Sequence, residues 1–278
     1  MRKNPLVMPV LKWVGGKRQL LPVLRKRLPK GITQYVEPFV GGGALFFDRQ
    51  PPCAILNDSN AELINVYQQI RDSLDALLTL LSQMQNTPEE FYRIRQQDRD
   101  GGLEELSDVE RAARIIYLNK TCYNGLFRVN SHGEFNSPFG YYKNPNIVNE
   151  PVLRAVSAYL ANRKLVFKCG DYNAALKSLC KDAFVYFDPP YDPVSSSASF
   201  TGYTQSGFDA DEQERLCDVC KSLNRRGFKF MLSNSDTERI NTLYKDFIIE
   251  KVAAKRNINS DGNGRGEVME VIVRNYEN

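Results

Sequence analysis

The sequence predicts an α/β protein with a doubly wound, mainly parallel sheet and a helical and hairpin insertion. Short apolar runs that end at Gly, Pro, Asn or Asp recur in residues 1–60 and 161–278. Helical patterns separate most of these runs, as expected for a sheet built from βαβ units. Residues 61–160 are instead mostly helical in pattern. We therefore expect them to form an insertion into one domain made of the two flanking segments.

The N-terminal segment has the pattern of a β-turn-α-β unit. A helix is predicted to begin near Gly16, and a strand is predicted over residues 32–39. The glycines at 41–43 break that strand, and residues 44–47 begin another helix. A short second strand is predicted over residues 54–56. This order is the usual start of a doubly wound sheet.

The insertion is predicted from helical spacing and from helix-start signals. Apolar side chains such as Leu63 and Tyr67 recur at helical spacing. Thr87 and Ser107 are each followed three residues later by Glu, which is the pattern of a capping box. Residues 123–142 are dense in Asn, Gly and aromatic residues. This last stretch is predicted to form a hairpin or a long loop.

The sheet is predicted to resume after the insertion. Its apolar runs are residues 165–169, 183–187, 229–232, 247–252 and 268–273. No pattern of helical length separates the last two runs, so we expect them to form an antiparallel pair at the edge of the sheet. The Gly- and Asn-rich link over residues 257–266 is expected to be mobile.

Composition narrows the class of protein. The chain has 278 residues with 42% hydrophobic and 25% charged residues, which is ordinary for a globular protein. It contains no apolar run of the roughly 20 residues that a membrane helix needs, and no secretory signal pattern. Six scattered cysteines favour a reducing cytoplasm. The single histidine, His132, argues against catalysis by histidine and against a metal site rich in histidine.

The most informative motif is Asp188-Pro189-Pro190-Tyr191, which directly follows the run at residues 183–187. Two prolines cannot continue a strand, so Asp188 is predicted to lie at the carboxyl edge of the sheet, where α/β folds bind ligands. The carboxylate and a carbonyl of the rigid turn can accept hydrogen bonds from an amino group. The ring of Tyr191 offers a flat surface. An exocyclic amine on a planar base fits such a pocket, although a strand followed by a Pro-rich turn has the same pattern.

A Gly-rich turn predicts a second part of the site. Residues 37–43 (EPFVGGG) lie between a predicted strand and a helix, and Asp58 follows the next strand. Glycines let the backbone approach a ligand closely, and Asp58 can bind a ribose diol. This is the layout for an adenosine-containing cofactor, although a tight turn beside a surface aspartate also fits. Phe46 stands where a dinucleotide fingerprint has its third glycine, so a pyrophosphate is not indicated.

Three other patterns are weaker indications of a functional site. Gly15 and Lys17 are not part of a phosphate loop, because the first glycine of that motif is absent; they can still receive an anion. Cys217 and Cys220 form a CxxC within a predicted helix, which we interpret as structural. Cys53 follows a proline but precedes a strand, and we interpret it as structural too.

Four motifs together resemble the DNA adenine-N6 methyltransferases of the Dam type, an alpha-group family, over residues 11–276. The likeness is closest to the GATC-specific modification methylases of restriction systems. The motifs, in this order, are residues 11–17 (LKWVGGK), 37–43 (EPFVGGG), 123–128 (YNGLFR) with 136–140 (NSPFG), and 188–191 (DPPY). The resemblance implies a fold typical of S-adenosylmethionine-dependent methyltransferases. It makes residues 1–60 and 161–278 the catalytic domain and residues 61–160 the DNA target-recognition insertion.

The resemblance also implies the site residues. The catalytic positions are Asp188, Pro189, Pro190 and Tyr191. The positions for S-adenosylmethionine are Trp13, Gly15, Lys17, Glu37, Pro38, Phe39, Gly41, Gly43, Asp58, Asp171, Tyr172 and Asp188, with Asp58 at the ribose and Asp171 facing the adenine. The positions for double-stranded DNA are Lys12, Tyr123, Asn124, Leu126, Arg128, Asn136 and Pro138. No metal is implied, and a restriction endonuclease acting separately is a possible partner.

The residues suggest how such an enzyme reads its target. Arg128 is our candidate for reading guanine, because a guanidinium pairs with O6 and N7 in the major groove; a phosphate contact or an ion pair are the alternatives. Nine Lys and Arg residues, and no Asp or Glu, lie in residues 1–30. This basic segment is expected to meet DNA beside the target, although a solvated helix face is the alternative for the cluster at residues 25–27.

The sequence leaves three alternative functions open. An N4-cytosine methyltransferase presents an amino group to the same kind of motif, although Asp188 favours adenine by family likeness. A related methyltransferase of rRNA or of protein glutamine uses the same fold, although the insertion with Arg128 favours duplex DNA. A DNA-binding regulator without activity is disfavoured by the intact motif at residues 188–191.

Overall fold

A computed structural model describes residues 3–13, 15, 17, 19–99, 101–194, 208–255 and 267–277. Within these residues the strands are β1 Gln34–Glu37, β2 Cys53–Asp58, β3 Lys164–Cys169, β4 Ala183–Phe187, β5 Lys229–Ser235, β6 Ile248–Lys255 and β7 Glu267–Arg274. The helices are α1 Leu21–Arg27, α2 Ala44–Arg49, α3 Ala61–Asp72, α4 Leu74–Gln83, α5 Pro88–Gln96, α6 Asp108–Thr121, α7 Glu150–Ala161, α8 Ala210–Arg225 and α9 Glu238–Leu243.

The described strands form one seven-stranded sheet in the order β3-β2-β1-β4-β5-β7-β6. Strands β1 to β5 are parallel, whereas β7 is antiparallel to both β5 and β6. The prediction of a mainly parallel, doubly wound sheet with an antiparallel pair at its edge is confirmed. This architecture is consistent with the fold of S-adenosylmethionine-dependent methyltransferases. The predicted link over residues 257–266 lies outside the described residues.

Two apolar cores cover the two faces of the sheet. Successive residues of a strand point to opposite faces, and in β4 Phe184 and Tyr186 belong to one core while Val185 and Phe187 belong to the other. Helices α2, α3, α6 and α7 contribute to the first core, and α8 and α9 to the second. Cys217 and Cys220 lie buried in the second core as free thiols, as the structural interpretation requires.

Helix starts agree with the capping signals except at the first helix. Helix α5 begins at Pro88, and the side chain of Thr87 accepts a hydrogen bond from the Glu90 amide at 3.2 Å. Helix α6 begins at Asp108 after the second predicted cap. The helix predicted to begin near Gly16 begins only at Leu21, because Pro22 suits a first turn and a hydrogen-bonded turn at residues 17–20 precedes it.

The segment between β2 and β3 is mostly helical, with an irregular hairpin between α6 and α7. Helices α3 and α6 pack against each other, and α3 also contacts β2 and β3. After α6, residues 122–139 turn back on themselves, with antiparallel bridges between Cys122 and Phe139 and between Val129 and Phe135. We call residues 122–142 the recognition hairpin. No helix of the described residues is long and apolar enough to cross a membrane.

Candidate active site

Asp188 lies at the carboxyl edge of the sheet, immediately after β4. Strand β4 ends at Phe187 because Pro189 and Pro190 have no amide hydrogen to continue the ladder. The Asp188 side chain is 19% exposed, and its Oδ1 atom lies 2.9 Å from Lys17 Nζ. The Ser233 hydroxyl donates to the same oxygen at 2.9 Å. Burial raises the pKa of Asp188, and Lys17 and Ser233 offset part of that rise.

Lys17 contacts the catalytic motif directly. Its ammonium group pairs with Asp188 and lies 4.4 Å from the centre of the Tyr191 ring. It also donates to the Gly15 carbonyl at 2.6 Å. The sequence assigned Lys17 to the cofactor, and the structure places its charge beside the carboxylate. A buried cation at this distance favours the ionised, hydrogen-bond-accepting form of Asp188.

The Tyr191 ring is held at its hydroxyl end. That hydroxyl donates to Oε2 of Glu270 in β7 at 3.1 Å. Burial raises the pKa of Tyr191 well above its ordinary value, so the phenol stays neutral and keeps its donor hydrogen. The ring is therefore fixed at one end by Glu270 and contacted on a face by Lys17, in a half-buried position beside Asp188.

A chain of amide hydrogen bonds fixes the turn after Asp188. Gln213 of α8 donates to the Pro190 carbonyl at 3.0 Å and accepts from Asn234 of β5 at 3.0 Å. Asn234 in turn accepts from the Asp192 amide at 2.9 Å. The Pro190 carbonyl is thus occupied, whereas no donor in the described part of the chain reaches the Pro189 carbonyl. The turn leaves one carbonyl available beside Asp188.

The Gly-rich turn after β1 is organised by Asp58 at the end of β2. The Asp58 carboxylate accepts from the Gly41 amide at 2.9 Å and from the Asn60 amide at 3.0 Å. Gly41 has a φ of 47°, and a Cβ there would lie 3.0 Å from the Trp13 ring. A carboxylate has about four lone-pair positions, so Asp58 can still accept from a hydroxyl group. Burial raises the pKa of Asp58.

Other predicted cofactor residues support this turn or lie beside it. Glu37 is buried, accepts from the Tyr35 hydroxyl at 2.8 Å, and has its pKa raised well above the ordinary value by burial. The Pro38 carbonyl accepts from Asn57 at 3.0 Å. Phe39 lies next to the turn, with its ring centre 5.1 Å from that of Tyr172.

The last predicted acid follows β3. Asp171 is exposed and pairs with Arg215 at 2.7 Å. The neighbouring Tyr172 is buried beneath the Arg215 guanidinium, which lies 4.8 Å from its ring centre. Because β3, β2, β1 and β4 are adjacent and parallel, Asp171, Asp58, the Gly-rich turn and Asp188 share one edge of the sheet. The edge thus brings the three carboxylates and the Gly-rich turn together at the place where α/β folds bind ligands.

The N-terminal motif is bonded to the recognition hairpin. The Lys12 amide donates to Asn119 Oδ1 at 2.9 Å, and Asn119 Nδ2 donates to the carbonyls of Lys12 at 2.7 Å and Gly125 at 3.1 Å. Trp13 stacks on Phe127 with 4.8 Å between ring centres. Gly125 has a φ of 65°, and a Cβ there would lie 3.2 Å from the backbone carbonyl oxygen of Asn119, so this position favours glycine.

Two predicted DNA-reading residues are paired across the hairpin. Arg128 is exposed, and its Nε donates to Asn136 Oδ1 at 2.7 Å. The Asn136 amide donates to the Arg128 carbonyl at 2.9 Å. Asn136 therefore orients the guanidinium on the surface.

The other predicted DNA-contacting residues lie on the same hairpin. Tyr123 is 58% exposed, and its amide donates to the Pro138 carbonyl at 2.8 Å. Asn124 and Pro138 are exposed, and Leu126 is half-buried. Tyr141, which the sequence reasoning did not select, is the most exposed large apolar side chain of the described residues at 75%.

Buried charges anchor the hairpin to the helices, and the sequence reasoning missed them. Asp98, whose side chain is 6% exposed, pairs with Arg114 of α6 at 2.8 Å and with Arg99. It also accepts from the Phe135 amide at 2.6 Å, and Arg99 donates to the Phe135 carbonyl at 3.0 Å. Burial lowers the pKa of Arg114. Both backbone groups of Phe135 are thus tied to one ion cluster.

The basic N-terminal segment is partly neutralised by acids from later in the chain. Arg25 and Lys3 pair with Asp48, and Arg27 pairs with Glu250 at 2.6 Å. These partners lie far along the sequence, so composition alone overstated the free positive charge of the segment. Among the described residues there is no group of three or more side chains suited to hold a metal ion.

Residues 13–258 match the family model described as D12 class N6 adenine-specific DNA methyltransferase. A type II methyltransferase of Lactococcus lactis subsp. cremoris is 45% identical, with 100% of this chain and 99% of the relative aligned. A type II methyltransferase of Methanocaldococcus jannaschii is 41% identical over 97% of this chain and 99% of its own. A DNA adenine methylase of Serratia marcescens is 34% identical over 95% of this chain and 96% of its own.

Proposed function

We propose a specific reaction for this chain, which belongs to the D12 class of N6 adenine-specific DNA methyltransferases. It transfers a methyl group from S-adenosylmethionine to N6 of an adenine that is flipped out of duplex DNA. The observation that supports this reaction best is the half-buried carboxylate of Asp188, which lies beside the Tyr191 ring and on the same sheet edge as Asp58. The target GATC is proposed from the motif resemblance.

The residues at the Gly-rich turn fit S-adenosylmethionine. When bound, this group supplies an electrophilic methyl on sulfur. Asp58 retains lone pairs for a ribose hydroxyl, and the bond from the Gly41 amide fixes the turn next to Trp13. Lys17 pairs with Asp188 and donates to the Gly15 carbonyl. Asp171 and Tyr172 would border the adenine of the cofactor.

Asp188 and the Pro189 carbonyl make the base nucleophilic in this proposal. An adenine amino group is inaccessible inside a duplex, so the base must leave the stack at a cost of a few kcal/mol. Tyr191 stacks on it, and the two acceptors take its two N6 hydrogens. The N6 lone pair would form the new N–C bond while the S–C bond of the donor breaks and leaves its electron pair on sulfur, and N6 would then release one proton to water. In-line placement of the two reactants is worth up to about 7–11 kcal/mol.

Different parts of the chain have different roles in this proposal. Residues 1–60 and 161–278 bind the cofactor and perform the transfer, and residues 61–160 recognise DNA. Within the second part, Tyr123 and Asn124 enter the space left by the flipped base, and Leu126 and Pro138 meet a thymine methyl. A cognate restriction endonuclease acting separately is proposed as a partner in the cell.

One experiment tests the reaction class. The protein is incubated with methyl-labelled S-adenosylmethionine and duplexes that contain GATC or single-base variants of it. The product is then digested to nucleosides and separated. We expect label in N6-methyladenine from the GATC duplex. Label in N4-methylcytosine or in RNA supplied as competitor would assign one of the alternative functions, and no transfer to any substrate would contradict the proposal.

Replacing Asp58 by Ala should weaken cofactor binding. The variant loses a buried carboxylate that accepts hydrogen bonds, worth roughly 1.5–3 kcal/mol, so the Kd for S-adenosylmethionine should rise by about 10–150-fold. Calorimetric titration measures this Kd, and Asp72→Ala, an acid paired with Arg71 on α3, is the matched control. DNA affinity without cofactor should stay within about twofold. An unchanged cofactor Kd would remove Asp58 from the site.

Replacing Arg128 by Ala should reduce discrimination between DNA sequences more than DNA affinity. A bidentate arginine–guanine pair discriminates by about 1–3 kcal/mol, whereas a phosphate contact lowers affinity on all sequences alike. Methylation rates on GATC and on guanine-substituted duplexes, at two salt concentrations, separate these roles. Arg128→Lys, which keeps the charge but loses the planar fork, should behave like Ala. If Lys instead restores the rate and Ala only flattens the salt dependence, Arg128 contacts a phosphate.

A further inference from the structure

Ser233 lies behind Asp188, on the neighbouring strand β5. The register of the parallel pair places Phe187 beside Leu232, so Asp188 and Ser233 are the next residues of their strands. Ser233 is fully buried, with 0% exposure, and therefore cannot contact a base that enters the pocket. Its Oγ lies 2.9 Å from Asp188 Oδ1 and 3.1 Å from the Tyr186 hydroxyl.

The direction of this hydrogen-bond chain follows from donor counting. A serine hydroxyl has one hydrogen to donate. Asp188 Oδ1 can only accept when it is ionised, so the Ser233 hydrogen points to Asp188. The hydrogen between Tyr186 and Ser233 must then come from the Tyr186 phenol. Burial raises the pKa of Tyr186 well above its ordinary value, which keeps that hydrogen on the phenol.

Both contacts to the carboxylate converge on one oxygen. Lys17 and Ser233 reach Oδ1, and within the described residues no donor reaches Oδ2. Two donors on one oxygen fix the rotation of the carboxylate about its Cβ–Cγ bond. Oδ2, which has no partner among the described residues, is then left to accept from another group.

We infer that Ser233 is a positioning residue for methyl transfer: by holding Oδ1 of Asp188 it directs Oδ2 to the N6 amino group of the flipped adenine. This inference rests on the proposed function for the identity of the substrate. Tyr186 supports Ser233 from behind, since its donated hydrogen directs the Ser233 hydrogen towards Asp188. Other titratable side chains around Asp188 are Lys17, Tyr35, Glu37, Tyr191 and Glu270.

Replacing Ser233 by Ala should lower kcat and leave binding intact. Loss of an outer hydrogen-bond partner of a functional ligand typically costs about 10–100-fold in activity at metal sites, and we expect a kcat decrease of the same size here. KM for S-adenosylmethionine and DNA affinity should stay within about twofold. Ser233→Thr, which keeps the hydroxyl, should recover most of kcat, and Tyr186→Phe should give a smaller loss of the same kind.

A change in acid titration distinguishes positioning from a merely structural role. A donated hydrogen bond favours the ionised carboxylate, so its removal raises the pKa of Asp188. The acid limb of the kcat profile of Ser233→Ala should therefore move to higher pH. Ser235→Ala is the matched control, because Ser235 lies on the same strand and its buried hydroxyl has no partner among the described residues. That control should keep both kcat and the acid limb of the wild-type enzyme.

A titration without substrate separates this inference from the proposed function. Carbon-13 NMR of labelled aspartate, with Asp188 assigned from Asp188→Asn, follows its protonation in wild type and in Ser233→Ala. A higher pKa in the variant supports the contact even if wild type proves to methylate another substrate. An unchanged pKa, or a Ser233→Ala enzyme within twofold of wild-type kcat, overturns the inference. If Ser233→Ala fails to fold, Ser233→Cys is titrated in its place and is expected to show the same upward shift.

Discussion

Asp188→Ala should abolish methyl transfer while leaving cofactor and DNA binding largely intact. Removal of one positioned electrostatic group typically costs about 10²–10³ in rate. Here the flipped base also loses the acceptor that aims its N6 lone pair. Single-turnover methylation measures the loss, and calorimetry and a DNA-binding titration measure the two affinities. Activity within a few-fold of wild type would contradict the catalytic role, as would weak cofactor binding with normal turnover.

A second variant distinguishes the catalytic loss in Asp188→Ala from the effect of the unpaired Lys17 charge. Asp188→Ala leaves the Lys17 ammonium in a largely buried position without its carboxylate partner, and such a charge is itself destabilising. Adding Lys17→Met to Asp188→Ala removes that charge. We expect the double variant to regain stability in thermal unfolding but not to regain methyl transfer. Recovery of activity would mean that Asp188 matters only as the partner of Lys17.

Asp98→Ala should lower the free energy of unfolding by about 3–5 kcal/mol, because it leaves the buried Arg114 without its ion partner. The same change frees the Phe135 amide of the recognition hairpin. Urea unfolding measures the first effect. The control is Asp75→Ala, whose carboxylate is 88% exposed and pairs with Arg154 at 3.2 Å. That surface pair should contribute no more than about 1 kcal/mol.

The same variant tests whether the hairpin anchor affects recognition. With Phe135 released, the Arg128–Asn136 pair should lose its fixed position, and discrimination between GATC and its variants should fall in protein that is still folded. Adding Arg114→Met to Asp98→Ala should recover part of the stability, since it removes the unpaired charge. If the single variant unfolds no more easily than wild type, the cluster does not anchor the hairpin.

The backbone of the sheet was predictable because its signals are local. Strand β4 has the bounds that its apolar run and two prolines predicted, Ala183–Phe187. Strand β5 instead continues three residues beyond the predicted 229–232, through a buried Ser-Asn-Ser sequence. In the sequence alone, a run of polar residues suggests the end of a strand, because their hydrogen-bond partners are not visible. Here Ser233 bonds to Asp188, and Asn234 bonds to Asp192 in the turn that follows.

Site residues with distant partners could not be assigned from the sequence. Asp98 has no signal of its own, since its importance comes from Arg114 and from Phe135, 37 positions later. Lys17 was placed near the cofactor by the family resemblance, and only the fold brings it to Asp188. A signal for Ser233 did exist. Ser233 is the first polar residue after the apolar run at 229–232. Where such a run lies beside the strand of Asp188, this residue is expected to reach the same sheet edge.

The position of β7 has a consequence for the order in which the enzyme becomes active. This strand lies between β5 and β6, although it is the last of the described strands along the chain, and its Glu270 holds the Tyr191 hydroxyl. During synthesis on the ribosome, β5 therefore cannot pair along its second edge until residues 267–274 emerge. Pairing between distant segments is slow to form because a long loop must close first. A nascent chain can thus form the edge proposed for the cofactor before the Tyr191 hydroxyl gains its partner Glu270 on β7.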